Sequence, residues 1–195
     1  MPRPFIIAIV AEKGAGKGLF IELVKKLMPE KKIVSLRLSD VWREILHILN
    51  KEESRENISN LATAVRTLFR DDGILVHAMK KRLADIQADI IILDGLRKEE
   101  EVAPLVRDND GLLVYIAASP EARFARRREH AETTDEKGMG WEQFMRLENL
   151  TPEVTIRHIG ETMADVTLEN NGTVEEFEKK IKQFIDGHVS SKTSS

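Results

Sequence analysis

The stretch "VAEKGAGKGLF", Val10 to Phe20, joins an apolar run to a helical one, and its reading decides the fold. It approaches the glycine-rich phosphate-binding pattern GxxxxGK[ST] and departs from it twice. Ala11 stands where the pattern opens on Gly, and Gly18 follows Lys17 where the pattern has a hydroxyl. The flanking context favours a phosphate site over a plain strand-to-helix turn. Gly14 and Gly16 let backbone amides turn toward a phosphate with no side chain in the way, and a helix starting near Lys17 adds its positive end. Lys17 would bridge the outer phosphates. With no hydroxyl at Gly18 or Leu19, Mg²⁺ lacks its usual ligand in such a loop and must be held otherwise.

Outward from this loop, four segments have the length and continuity of strands buried on both faces: "FIIAIVA" (5–11), "KIVSLRLS" (32–39), "DIIILDG" (89–95) and "GLLVYIAAS" (111–119). A weaker fifth is "DVTLEN" (165–170). Helical spacing fills the intervals; Leu19, Phe20, Leu23, Val24, Leu27 and Met28 form one stripe that stops at Pro29. This alternation predicts an α/β fold, a five-stranded parallel sheet flanked by helices, with its site beyond the carboxyl ends of the strands.

The interval 40–88 reads as helices only, "DVWREILHILN", "NISNLATAVRTLF" and "DGILVHAMKKRLADI", and predicts an inserted helical segment. "KEESRE" at 51–56 reads as a solvated turn. Ser119 followed by Pro120 is a helix start. The polar "AETTDEKGMG" between two helical stretches could form a lid. The expected division is one domain over 1–187, with a core of 1–39, 89–131 and 151–187, an insertion at 40–88 and a lid at 132–150. Residues 188–195 read as a disordered tail.

The 195 residues contain no cysteine, which excludes disulfides, thiolate catalysis and cysteine metal sites. A formal net charge of -3 removes any general drive toward nucleic acid or anionic membrane. The apolar runs are too short to span a bilayer, and no signal peptide is read at the N-terminus, so a cytoplasmic protein without membrane or nucleic-acid partners is expected. The five histidines form no metal pattern.

"GAGKG" at 14–18 resembles the loop of adenylate kinase and other nucleoside monophosphate kinases of the P-loop NTPase fold, where Gly follows the lysine and threonine comes next; here that place is Leu19. "LSDVWRE" resembles the family's acceptor segment, with Arg43 three places after Asp40. "DDGILVHAMKKRL" resembles the segment closing the acceptor pocket, and "LDGLR" the strand end that supplies an aspartate and an acceptor-binding arginine. The order covers about Phe5 to Ile185. "DGLRKEEEV" and "ENNGTVEEFEKKI" are also similar to dephospho-coenzyme A kinases, which leaves the acceptor open.

The resemblance implies ATP and Mg²⁺ as cofactors and a nucleotide acceptor. Residues 12–19 (Glu12, Lys13, Gly14, Ala15, Gly16, Lys17, Gly18, Leu19) would hold ATP. Asp94 would hold Mg²⁺ through water or orient the acceptor, its alternative being a turn residue before Gly95. Arg43 and Arg97 would grip the acceptor phosphate bidentately, with surface ion pairs as the alternative. Asp40 reads first as a helix cap and second as an acceptor ligand. Arg123 or Arg127 would contact ATP, although a solvated basic helix face explains the run Arg126 to Arg128 equally well. Trp42 and Trp141 read as packing residues before base-flanking ones, and Asn170 and Asn171 as a turn.

Overall fold

Phe5–Val10 is apolar and buried at every position, as a strand covered on both faces requires. A computed structural model describes residues 3–129 and 138–193, and at 151 and 152 the backbone alone. In it this first strand, β1, is followed by β2 (Ile33–Arg37), β3 (Ile90–Asp94), β4 (Leu112–Ala117) and β5 (Val166–Glu169). They form one parallel sheet of order β2-β3-β1-β4-β5, the α/β fold expected. The register brings the carboxyl ends level: Ile9 and Arg37 both lie beside Asp94, and Val10 lies beside Tyr115.

Alternation along the strands divides their side chains between two faces. Ile7, Ile9, Ile92 and Ile116 pack with helix α1 (Lys17–Leu27) and with a C-terminal helix at Val174–Phe184. Ile6, Ala8, Ile91, Leu93 and Tyr115 face the other helices: α2 (Asp40–Ile48), α3 (Arg55–Phe69), α4 (Ile74–Asp85), α5 (Glu99–Leu105) and a helix at Thr151–Met163. So the helix after β1 covers one face and the helix after β3 covers the other, although the two strands are neighbours. The chain leaves adjacent strand ends in opposite directions, and this opens a crevice between them, where ligands of such sheets sit.

Local signals set the boundaries. Ser54, in the turn "KEESRE", accepts from the Asn57 amide at 3.2 Å and starts α3. Ser119 accepts from the Ala122 amide at 3.2 Å and starts α6 (Pro120–Glu129). Next come α7 (Trp141–Glu148), α8 (Thr151–Met163), α9 (Val174–Phe184) and a last helical stretch, α10 (Ser190–Thr193). The sequence-based reading missed α5: "EEEVAPL" carries its acids in the first turn, where they suit the helix dipole, and too few apolar residues to show a period.

The tail is a correction. Residues 185–193 continue α9 as helical turns, because Val189 is buried with Phe184 and Ile185 and the Lys31 ammonium donates to the Thr193 carbonyl at 2.6 Å. Residues 194 and 195, and 132–137 of the expected lid, lie outside the described residues.

Gly160 lets α8 lie against the Tyr115 ring; a Cβ there would fall 2.4 Å from a ring carbon. Gly160→Ala is expected to destabilise by about 1–3 kcal/mol through overpacking, more than the ~1 kcal/mol of helix propensity it gains. A urea midpoint at or above wild type would contradict this packing.

Candidate active site

Between β1 and α1 the chain turns through two left-handed residues, Gly14 at φ 86° and Gly16 at φ 103°. Glycine takes this conformation at little cost. Neither position has room for a side chain either. A Cβ at Gly16 would lie 2.2 Å from the Asn170 side-chain nitrogen, and one at Gly14 would lie 2.9 Å from the Arg123 carbonyl. Asn170 in turn donates to the Ala15 carbonyl at 2.9 Å and accepts from Arg126 at 3.3 Å.

Part of the expected ATP-binding set is already engaged. The Lys13 amide donates to Glu153 at 3.3 Å and the Ala15 amide to the Glu12 carbonyl at 3.1 Å, which takes two amides out of the expected set of 12–19. The amides of Gly14, Gly16, Lys17, Gly18 and Leu19 donate to no acceptor among the described residues. They are the open end of α1, which has no side-chain cap, and an open helix N-terminus attracts anions. Leu19 packs against the core.

In front of the loop lies Asp94, buried at the end of β3. Its Oδ1 is 2.8 Å from Lys17 Nζ, so two of the residues expected at the site, Lys17 and Asp94, lie together. Its Oδ2 is 3.8 Å from Arg37 Nε, a neighbour on β2 that sequence reasoning missed. The signal was available only through strand register, since Arg37 closes an edge strand directly beside Asp94. Gly95, at φ 94°, then turns the chain, and Arg97 follows, exposed and with no guanidinium partner among the described residues. The Glu101 carboxylate fixes this turn by accepting from the amides of Arg97 and Lys98 at 2.7 and 3.1 Å. Burial raises the Glu101 pKa, and those two hydrogen bonds offset only part of the effect.

The expected acceptor residues Asp40 and Arg43 are turned to other tasks. Asp40 occupies the first position of α2, after Ser39 at the cap, and accepts from the Arg37 amide at 3.0 Å, closing the turn out of β2. Arg43 lies 3.4 Å from Glu53 across the gap before α3, the surface ion pair weighed as its alternative. Trp42 is buried, and Trp141 packs against Phe124 and Phe144.

Arg123 is where expectation and structure diverge most. Its side chain is 1% exposed, 2.5 Å from Glu148 and 3.8 Å from Glu12. Glu12 also accepts from the Tyr115 hydroxyl at 2.9 Å and from Arg157 at 3.1 Å, and Arg157 reaches Glu148 at 3.4 Å. Two buried carboxylates, buried Arg123 and the partly exposed Arg157 thus form a cluster beneath the loop. Burial, then the adjacent Glu12 charge and hydrogen bond, raise the Tyr115 pKa. Burial alone would lower the Arg157 pKa, but the Glu12 hydrogen bond and the Glu12 and Glu148 charges raise it. The Glu12 side chain is therefore a brace turned away from any nucleotide. Arg127 lies beside Gly14, with its guanidinium 5.6 Å from the Phe144 ring centre.

No group of three His, Asp or Glu side chains suited to a metal ion occurs among the described residues. Mg²⁺ binds through one or two carboxylates together with substrate phosphates and water, and the single buried Asp94 fits that pattern.

Sheet order, loop and crevice together define a P-loop kinase-like fold, and the comparisons agree. A scan against models of known families matches none to this chain. A UPF0200 protein of Thermococcus kodakarensis is 25% identical over 190 residues, covering 95% of this chain and 98% of that one. Among solved structures, a shikimate kinase from Aquifex aeolicus superposes with a TM-score of 0.55 at 19% identity, covering 94% of this chain and 97% of the other. A gluconokinase from Sinorhizobium meliloti gives 0.54 at 12% identity, covering 96% of this chain and all of that one. No helix among the described residues is long and apolar enough to cross a membrane.

Arg123→Met takes the 2.5 Å partner from buried Glu148 and leaves the two buried carboxylates with Arg157 as their one remaining counter-charge in the cluster, which is expected to cost about 3–5 kcal/mol in urea unfolding. Loss of nucleotide affinity at unchanged stability would instead place Arg123 at the ligand. For Glu101, the raised folded pKa means that stability is fully present below the ordinary value of 4.5 and is lost as pH rises through the folded value. The difference in stability between wild type and Glu101→Gln should drift against wild type over that window; a pH-independent difference would contradict the shift.

Proposed function

We propose that this chain is an ATP-dependent phosphotransferase that moves the γ-phosphate of ATP to a nucleoside monophosphate. One observation carries the reading: Lys17 meets buried Asp94 at 2.8 Å, directly before a loop whose five amides have no acceptor among the described residues. Phosphoryl transfer asks a protein mainly to align two anions and neutralise charge. The loop amides would hold the inner phosphates and Lys17 the outer ones. Lys17 would exchange Asp94 for phosphate as ATP enters. Asp94, so released, would orient the acceptor, whose phosphate oxygen takes the transferred group as ADP leaves, and hold Mg²⁺ through water; the ion would supply charge neutralisation on the phosphates. Arg97 would hold the acceptor and Arg127 would stand beside the loop, while α2 to α4 would form the acceptor side. A cytoplasmic setting suits these substrates.

A second reading keeps the apparatus and changes the acceptor to dephospho-coenzyme A or another small molecule; the names of the shikimate kinase and gluconokinase neighbours favour it. A regulator that binds ATP without turnover draws support from Gly18 and Leu19, neither of which offers a hydroxyl.

Acceptor-dependent ADP release is the test, with nucleoside and deoxynucleoside monophosphates, dephospho-coenzyme A, shikimate and gluconate as the panel. One monophosphate should raise ADP release well above background, and Lys17→Ala should lower that rate by about 100-fold or more. ATP binding with no active acceptor would leave the regulator standing.

A further inference from the structure

Arg37 has no place in the glycine-rich pattern. It closes β2, in register with Asp94, and its guanidinium is 64% exposed at the mouth of the crevice. Its backbone is fixed by the bond from its amide to Asp40. The only ion-pair partner of its guanidinium among the described residues is Asp94, at 3.8 Å, which already has Lys17 at 2.8 Å on its other oxygen. One carboxyl group therefore lies between two cations, while the nearby Asp40 carboxylate is taken by the Arg37 amide. Two cations thus stand beside a helix N-terminus, an arrangement that favours a further anion.

We propose that Arg37 is a specificity-determining residue that contacts the terminal phosphate of a nucleoside triphosphate, so that the site distinguishes tri- from diphosphate. This rests on the phosphotransferase reading and deepens it. The loop amides and Lys17 hold the phosphates nearest α1. A third phosphate extends past Lys17 into the space before Asp94, where the guanidinium lies; a diphosphate ends short of it. Arginine's planar fork suits two phosphate oxygens, and the side chain moves to them from a single exposed ion pair, a weak contact to give up.

Calorimetric titration of ATP and of ADP into wild type, Arg37→Gln and Arg37→Lys tests this. Arg37→Gln should weaken ATP by about tenfold or more, the loss of a charge-assisted contact, and ADP by less than about twofold. Arg37→Lys, which keeps the charge without the fork, should fall between them. Unchanged ATP affinity in Arg37→Gln overturns the assignment and leaves the phosphotransferase reading intact. Equal losses for ATP and ADP also overturn it, because a residue that merely positions Asp94 would not distinguish the two ligands. Wild-type protein that binds neither nucleotide removes the phosphotransferase reading together with the role of Arg37.

Discussion

The site depends on how the bend from β1 to α1 is held open. Two left-handed glycines make the turn possible, but glycine is flexible and does not by itself keep a loop in one shape. The shape is imposed from below by Glu12, whose carboxylate is clamped by Tyr115 and Arg157 and faces Arg123, and from the side by Asn170 on the Ala15 carbonyl. These contacts come from β4, α6, α8 and the end of β5, so the loop is fixed only once the sheet and the helices around it are assembled. Glu12 and the Ala15 carbonyl are therefore held by protein partners, while the amides of Gly14 and of residues 16–19 donate to none among the described residues.

Charge is divided along the same line. Beneath the loop, buried Glu12 and Glu148 are balanced by buried Arg123 and by the partly exposed Arg157, and an unpaired charge there would be costly. Above it, Lys17 and Arg37 share the single carboxylate of Asp94, and Arg97 stands exposed one turn away. On the proposed reading such an arrangement would suit a polyanion, because the exchange of partners at Lys17 would leave the cluster beneath the loop in place.

Much of this was legible from residues 5–20 and from strand continuity. The five apolar runs are the five strands, and Pro29, Ser119 and Pro120 mark boundaries that the structure keeps. The approach of Asp94 to the loop was also legible, since Asp94 ends a buried strand and the loop leaves a neighbouring parallel strand at the same edge of the sheet. What local pattern could not show is partnership. Arg123 sits in a basic run that looks solvated, and only the packing of α6 on α7 buries it against Glu148. Glu12 reads as one of the ATP-binding loop residues until Tyr115, more than one hundred residues away, donates to it. Arg37 needed strand register, and α5 and the C-terminal turns needed the surfaces they cover, because neither shows enough apolar periodicity alone.

The absence of a hydroxyl after Lys17 has a consequence for how the two strand ends must cooperate. In the general pattern a loop hydroxyl helps to hold the metal, so the loop can organise phosphate and ion together. Here Gly18 is open and Leu19 is turned to the core, which leaves the loop without a hydroxyl. On the proposed reading the ion's protein ligand would come from β3, through Asp94, and that carboxylate is already engaged by Lys17 and Arg37. Metal and phosphate would have to arrive as one complex, the phosphate drawing Lys17 and Arg37 away as the ion takes the carboxylate, since either step alone leaves a charge unpaired at the mouth of the crevice.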